Sequence, residues 1–361
     1  GNTVMDITRD KSPYTWYRES TVGNPNVHWE KVTKYNLGVD FGFLGGLITG
    51  SADVFHDHRT DTLVKGSDRS VPSYFGQTAP TANLGVVNTS GYEVQVKLNK
   101  VFANTLRLWA DMNFTHAVNK IKVKDDPEML PAYRKKAGYA IGQTTTYLDR
   151  GRVQNYDDIY GSPRFDSNDG KRLPGDYYIV DFNGDGVIDN VNDVVPYGYT
   201  GSPQNTYNAT IGAEYKGFSF MAQFYGVTNV TRDVTMVSLS DPMQCNVYSQ
   251  GTWWFDDHNS AKCTTPRLLS QPMSNAALYG TQYLCDGSYI RLKNIELAYT
   301  WHGGWVRHLG INDLKVYVSG NNLWLWTRMP DDRESNFSSW GGAVGAYPTM
   351  KRINFGVKFN L

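Results

Sequence analysis

Arg352-Ile353-Asn354-Phe355-Gly356-Val357-Lys358-Phe359-Asn360-Leu361 closes the chain with unbroken alternation. Every odd position from Ile353 to Leu361 is apolar, and every even one is polar or Gly. Successive side chains of a strand point to opposite faces, so this is a strand with one apolar face and one wet face. An amphipathic strand that ends a chain on alternating aromatics suits the last strand of a transmembrane β-barrel. One strand of a soluble sandwich fits the same ten residues, so the decision lies upstream.

Working back from this strand, the pattern recurs. Leu314, Val316 and Val318 alternate with Lys315, Tyr317 and Ser319. Within 288–300 the phase changes: Ile290 and Leu292 are even, Ile295, Leu297 and Tyr299 odd, which predicts a bulge near Lys293-Asn294. Phe218, Phe220, Ala222 and Phe224 form one strand, and Ala209, Ile211, Ala213 and Tyr215 another, joined at Lys216-Gly217. Further upstream come Leu106 to Phe114, then Tyr92 to Leu98, then Ile48 to Val54. The series starts with Tyr35, Leu37, Val39, Phe41 and Phe43, ahead of a tight turn at Gly45-Gly46.

The connections alternate in length. Short ones fall at 44–46, 100–104 and 216–217, with a medium one at 301–311. Long ones fall at 57–87, 118–204, 227–286 and 327–349, and 118–204 is expected to hold a local hairpin around Tyr139 to Leu148. Soluble sheets join most strands by a handful of residues. Long loops at one end and tight turns at the other mark outer-membrane barrels. The expected fold is therefore all-β: about nine strands of a large antiparallel transmembrane β-barrel with long extracellular loops.

Parity extends the inference. Bacterial single-chain barrels use an even number of strands. With the C-terminus inside, nine strands put residues 1–28 outside as an extracellular loop, and 29–361 form the barrel segment. An open nine-stranded sheet would leave two bare edges in lipid. The chain is thus expected to be the C-terminal part of a larger barrel, completed by an upstream segment or another chain. The sequence begins at Gly1 with no export signal, which fits processing or a longer parent chain.

Composition agrees. The 361 residues carry no formal net charge and only 19% charged side chains, which gives no basic bias toward nucleic acid. Aromatics reach 14%, with 24 Tyr and 10 Trp, beside 35 Gly, a mixture suited to strands, turns and an interface. No apolar run approaches the ~20 residues of a spanning helix. Cys245, Cys263 and Cys285 fit no zinc spacing; they read as incidental thiols or a loop disulfide.

One stretch looks like chemistry. Asp181-Phe-Asn183-Gly-Asp185-Gly186-Val187-Ile-Asp189 places oxygen ligands at positions 1, 3 and 5, Gly at 6 and a backbone carbonyl at 7, as a calcium loop does. Position 12 is Asn192, with Asp193 one beyond, so a loop bulged by one residue would close the set. The candidate ligands of a structural Ca²⁺ are Asp181, Asn183, Asp185, Val187, Asp189 and Asp193; an Asx-rich turn without metal is the alternative. Trp253, Trp254 and Phe255 are candidates for contact with substrate or a lid, by stacking, and plain loop packing competes. Trp324 and Trp326 fit an interfacial aromatic belt. The seven His are scattered, and Asp256-Asp257-His258 is a poor glycosidase pair because adjacent loop carboxylates rarely converge.

Several motifs in order resemble one family. Val22-Gly-Asn-Pro-Asn-Val-His-Trp29-Glu30-Lys31 followed by Asn36-Leu-Gly-Val-Asp40 resembles the start of the C-terminal half of SusC/RagA-type TonB-dependent transporters. Pro174-Gly-Asp176 with Asp181 to Asp189 resembles their acidic loop; Pro266-Arg267-Leu268 and Asp286-Gly-Ser-Tyr289-Ile-Arg291-Leu292-Lys293-Asn294 resemble two later signatures. The resemblance runs from about residue 20 to the end. It implies an outer-membrane protein of a Gram-negative, Bacteroidota-type bacterium that imports glycans or peptides without being an enzyme. It also implies partners: an upstream barrel and plug segment, TonB acting on that plug, and a SusD-like surface lipoprotein. The acidic loop is one residue longer than the family form, and the last residue is Leu361 where Phe is usual. The rival readings are a secreted calcium-binding β-sandwich that binds polysaccharide, and a loop-based glycosidase.

Overall fold

The computed structural model describes residues 2–3, 15–16, 22–72, 74, 76–167, 169–233, 280–308, 310–329 and 349–360. Its main feature is one antiparallel sheet of nine strands: β1 (Lys31–Phe43), β2 (Ile48–Val64), β3 (Ala82–Val101), β4 (Arg107–Val123), β5 (Asn205–Tyr215), β6 (Phe218–Thr228), β7 (Tyr289–His302), β8 (Asp313–Thr327) and β9 (Arg352–Asn360). Each strand is hydrogen bonded to its neighbours in sequence, and the order runs from β9 to β1 without a crossover. Strands of nine to twenty residues in a pure meander are the barrel pattern.

One face stays apolar and uncovered. Leu37 is 78% exposed and Phe355 83%, and Val39, Ile211, Leu297, Val316 and Val357 behave alike. A sandwich would bury this face beneath a second sheet. Among the described residues the other sheets have two strands each, so the sandwich reading fails.

The tight turns are built from left-handed residues. Lys216 (φ 45°) and Gly217 (φ 90°) form the two-residue turn between β5 and β6, where two consecutive positive φ values match the twist of the flanking strands. At the opposite strand ends the two loops that follow β2 and β4 are shorter than the alternation implied. The long connections are 65–81, 124–204, 229–288 and 328–351, because the strands continue past the apolar alternation. Beyond a membrane band neither face must be apolar, so polar stretches such as His56-Asp-His-Arg-Thr-Asp-Thr62 still pair as strand. Residues 2–3 and 15–16 pair with each other inside the segment read as loop.

The bulge expected near Lys293 is present. Between β6 and β7 the register passes from Gln223↔Asn294 to Phe224↔Leu292, leaving Lys293 without a partner. Between β7 and β8 it passes from Asn294↔Asn321 to Leu292↔Trp324, so Asn322 and Leu323 both face the Lys293 step. Asn322 takes φ 55°, a left-handed value that Asn tolerates better than most residues.

The chain divides into two compact units, with β1 to β4 contributing to both. The first holds Gly1–Tyr35, His56–Thr89 and Asn119–Ala140, and ion pairs tie its strand ends: Lys31–Asp61 (3.3 Å), Arg69–Asp125 (3.3 Å) and Lys124–Asp68 (3.1 Å). The second holds Asn36–Phe55, Ser90–Val118 and Ile141–Leu361. The insertion between β4 and β5 buries Tyr147, Val153, Ile159, Phe165, Tyr177, Ile179, Ile188 and Val195, and a smaller cluster at the strand ends joins Val227, Val230, Tyr289 and Met329. The local hairpin expected at Tyr139 to Leu148 is replaced by a longer-range pairing. Gln143–Tyr147 pairs with Val194–Thr200, and Asp149–Arg152 with Tyr177–Ile179. Short strands of this kind gain more from packing side chains over a shared core than from closing the nearest turn.

Candidate functional site

The wet face of the sheet carries an organised row of amides. Asn354 of β9 donates to Asn321 of β8 (3.4 Å), and Asn321 donates to Asn294 of β7 (2.6 Å). Asn294 donates to Gln223 of β6 (2.5 Å), and Gln223 donates to Asn208 of β5 (3.3 Å). One uncharged side chain per strand thus links five neighbouring strands, with every bond running the same way. Such chains polarise one another. The C=O end lies at β9 and the N–H end at β5, where Asn208 is register partner to Asn113 of β4. Asn113 and Gln95 of β3 both donate to the Asp111 carboxylate, at 3.3 and 3.1 Å. Alternation in the sequence puts Asn354 on the wet face and Asn294 at the bulge, and misses the row. The signal was an Asn or Gln at the wet position of strand after strand, and only the register shows that they meet.

The same face explains two aromatics that break the polar pattern. Trp109 lies directly across from Gly212, and Tyr317 across from Gly356. A Cβ at either glycine would collide with the facing ring. The rings lie flat over bare backbone and leave the face open, since only glycine permits so close an approach. Two ion pairs also cross this face, Lys315–Glu296 (2.7 Å) and Arg107–Glu214 (3.4 Å).

Aromatic rings flank the apolar face. At the tight-turn end Phe218, Tyr299, Trp301 and Trp305 form a chain of ring contacts with centroids 4.5, 4.5 and 6.2 Å apart. At the other end Trp324 and Trp326 are exposed, opposite Leu292 and Ile290. About nine residues of β7 separate these zones, roughly 30 Å of strand, which at the tilt of barrel strands spans roughly the 25 Å apolar band of an outer membrane.

The acidic loop is a closed network of Asx turns. The two oxygens of Asp181 accept from the backbone N–H of Gly184 and Gly186, both at 2.7 Å. Asn183 Oδ1 accepts from Asp185 N, and Asp185 Oδ1 from Val187 N. Asp189 Oδ1 accepts from the N–H groups of Val191 and Asn192. Asp193, fully buried, accepts from Phe182 N (2.7 Å) and Asp189 N (2.8 Å), so the residue one beyond position 12 closes the loop. Burial pushes the Asp193 carboxyl above the usual carboxylate range, against the lowering effect of these backbone bonds. Burial also raises the Tyr147 phenol, with Asp166, Asp189 and Asp193 adding repulsion. The oxygen donors suit a hard cation in kind. Among the described residues no three His, Cys, Asp or Glu side chains are arranged to hold one. Trp253, Trp254 and Phe255 lie outside the described residues, as do Cys245 and Cys263.

These features define a class: a membrane-spanning antiparallel β-barrel wall, greasy outside and amide-lined within. The profile of the family described as "TonB dependent receptor-like, beta-barrel" matches residues 10–323, and the chain belongs to that family. It is of the SusC/RagA kind. It is 23% identical to TonB-dependent receptor P3 of Formosa agariphila over 92% of this chain and 34% of the relative. It is 26% identical to TonB-dependent receptor SusC of Bacteroides thetaiotaomicron over 78% of this chain and 27% of that one. The solved structure of the RagAB peptide transporter shares the fold at TM-score 0.67 and 19% identity, covering 99% of this chain and 38% of that one. The chain spans about a third of the length of the curated relatives it matches. The family is one of receptors of the Gram-negative outer membrane, which are not enzymes, so the glycosidase reading falls away.

Proposed function

We propose that this chain forms part of the barrel of a TonB-dependent importer of oligomeric nutrients, glycan or peptide, acting with a SusD-like surface lipoprotein. The amide row carries the reading. A continuous band of uncharged donors and acceptors along five strands suits a wet conduit that passes hydroxyl- or amide-rich oligomers without trapping them by charge. Energy would reach the conduit through a plug moved by TonB. β1 and β9 are each hydrogen bonded on one side among the described residues, which supports further barrel strands as partners; the plug segment is proposed from the family match. A structural Ca²⁺ belongs to the same reading. Its support is the oxygen series of Asp181, Asn183, Asp185, the Val187 carbonyl, Asp189 and Asp193, with Gly184 (φ 74°) and Gly186 (φ 88°) permitting the sharp turn.

The test is the native composition of the detergent-extracted complex, followed by uptake of labelled oligomers by cells with and without it. Co-purification with barrel, plug and lipoprotein components, and uptake abolished when TonB is removed, is the expected result. A monodisperse monomer stable without detergent overturns it. Terbium luminescence on the same complex reports the calcium site, and Asp181→Asn with Asp185→Asn should abolish it.

A further inference from the structure

A second site lies at the strand ends that carry the long connections. The strand Val194–Thr200 pairs with Gln143–Tyr147 in regular register from Val194 to Pro196, and then slips: Pro196 faces Thr145 but Thr200 faces Gln143. Tyr197, Gly198 and Tyr199 therefore stand opposite a single residue. A bulge of this kind re-aims side chains, and Gly198 (φ 61°) supplies the left-handed turn. The bulge is stitched in place. Gln143 Nε2 donates to the Gly198 carbonyl (3.0 Å), Thr144 Oγ1 to the Tyr199 carbonyl (2.6 Å), and Tyr199 N–H to Thr231 Oγ1 (2.7 Å). Both tyrosine rings stay about half exposed.

They border a cavity of about 430 Å³, within the size range of small-ligand pockets. Its other walls come from the segment just past β6 (Asn229 to Thr231), the strand Leu284–Asp286 paired with Thr231–Asp233, Ser288 and Arg328. Asp286 and Arg328 form an ion pair at 2.8 Å, and the Asp286 carboxylate also accepts from the N–H and hydroxyl of Ser288. Burial would raise the Asp286 carboxyl, but the Ser288 bonds and then Arg328 outweigh it and hold it below the usual range. The two charges cancel. What remains is a fork of N–H donors beside carboxylate acceptors, in a cavity that two tyrosines also line.

We propose that this pocket is a surface subsite for a neutral saccharide unit. Vicinal hydroxyls pair with the guanidinium and the carboxylate, and a pyranose face stacks on Tyr197 or Tyr199. A peptide terminus or a uronate would bring a net charge for which the paired Asp286 and Arg328 offer no counter-ion. The proposal rests on the importer reading and chooses the glycan branch of it.

The test uses the intact transporter complex in detergent, probed by saturation-transfer NMR and fluorescence titration. The probes are neutral hexose oligosaccharides, uronate oligosaccharides and mixed peptides of matched length. Wild type should bind a neutral oligosaccharide. Tyr199→Ala and the double variant Asp286→Asn with Arg328→Gln should each weaken it about 10–100-fold, the scale of a lost charged hydrogen bond or stacking contact. Tyr199→Phe keeps the ring and should retain binding, which separates stacking from a folding defect. Unchanged saccharide binding in the variants, or peptide or uronate binding that the same variants abolish, overturns the proposal. Uptake of peptides by a complex that ignores saccharides leaves the importer standing and refutes the subsite; loss of all uptake with the complex intact refutes the importer instead.

Discussion

The strands β5 to β9 and the insertion at 141–200 belong to one compact unit, yet they use apolar residues in opposite ways. On the sheet Leu297, Val316 and Phe355 are exposed; in the insertion Ile179 is 2% exposed and Ile188 and Val195 are buried with it. The sheet is held by backbone ladders and a row of amides, and its apolar face awaits a lipid solvent. The insertion is a small water-type module. It has a buried core, a capping box in which Asn155 and Asp158 bond reciprocally at the start of the helix Tyr156–Tyr160, and a loop of satisfied carboxylates. The same chain thus obeys two solvents, and the boundary between them is the end of the strands.

Substitutions that exchange the two rules test this contrast. Ile179→Ala should cost the insertion about 2–5 kcal/mol through the cavity it leaves. Proteolysis within 141–200 should accelerate while the sheet keeps its heat-modifiable migration in SDS. Leu297→Arg should cost the sheet about 2–4 kcal/mol in a bilayer, measured by urea-driven refolding into vesicles. Leu173→Arg, on the exposed surface of the insertion, should stay within about 0.5 kcal/mol. Equal costs at Leu297 and Leu173 would mean that the exposed face of the sheet does not meet lipid.

Smaller effects sharpen the picture. Asn294→Ala breaks two links of the amide row and should cost about 1–3 kcal/mol, with faster hydrogen exchange in β7 and β8. An effect confined to β7 would show that the row is not cooperative. Glu214→Gln removes the exposed pair with Arg107 and should cost about 0.2–1 kcal/mol, vanishing at high salt.

The pH dependence gives the finest contrast. Asp193 holds its proton more tightly folded than unfolded, so its contribution favours the insertion at low pH. That contribution is lost as pH rises from the ordinary 3.8 through the raised value. Asp286 behaves oppositely: its contribution is present above 3.8 and lost as pH falls through the lowered value. Carboxyl chemical shifts followed from acid to neutral pH should move these two residues in opposite directions from the ordinary midpoint.

Much of the sheet was legible in advance because a period of two reports a strand wherever one face must be apolar. The phase change between Leu292 and Ile295 located the bulge to Lys293-Asn294, since one extra residue flips every later side chain. Strand ends were not legible. Past the membrane band the alternation has no cause, so residues such as Arg59 and Asn119 looked like loop. The acidic loop was legible through its Asp, Asn and Gly spacing, including the place of Asp193 one beyond the expected position. The amide row and the Tyr197 and Tyr199 pocket were not. Each joins residues from strands or loops far apart in sequence, and no local periodicity encodes their meeting.

By itself the sequence determined the strand class, the order of short and long connections, the bulge and the spacing of the acidic oxygens. All of these follow from local chemistry and from which face meets water. Only the tertiary structure decided that Asn354, Asn321, Asn294, Gln223 and Asn208 stand in one row, that the insertion has buried residues of its own, and that Asp286 and Arg328 line one pocket with two tyrosines. Register and long-range packing settle those, because they depend on which distant backbones come side by side.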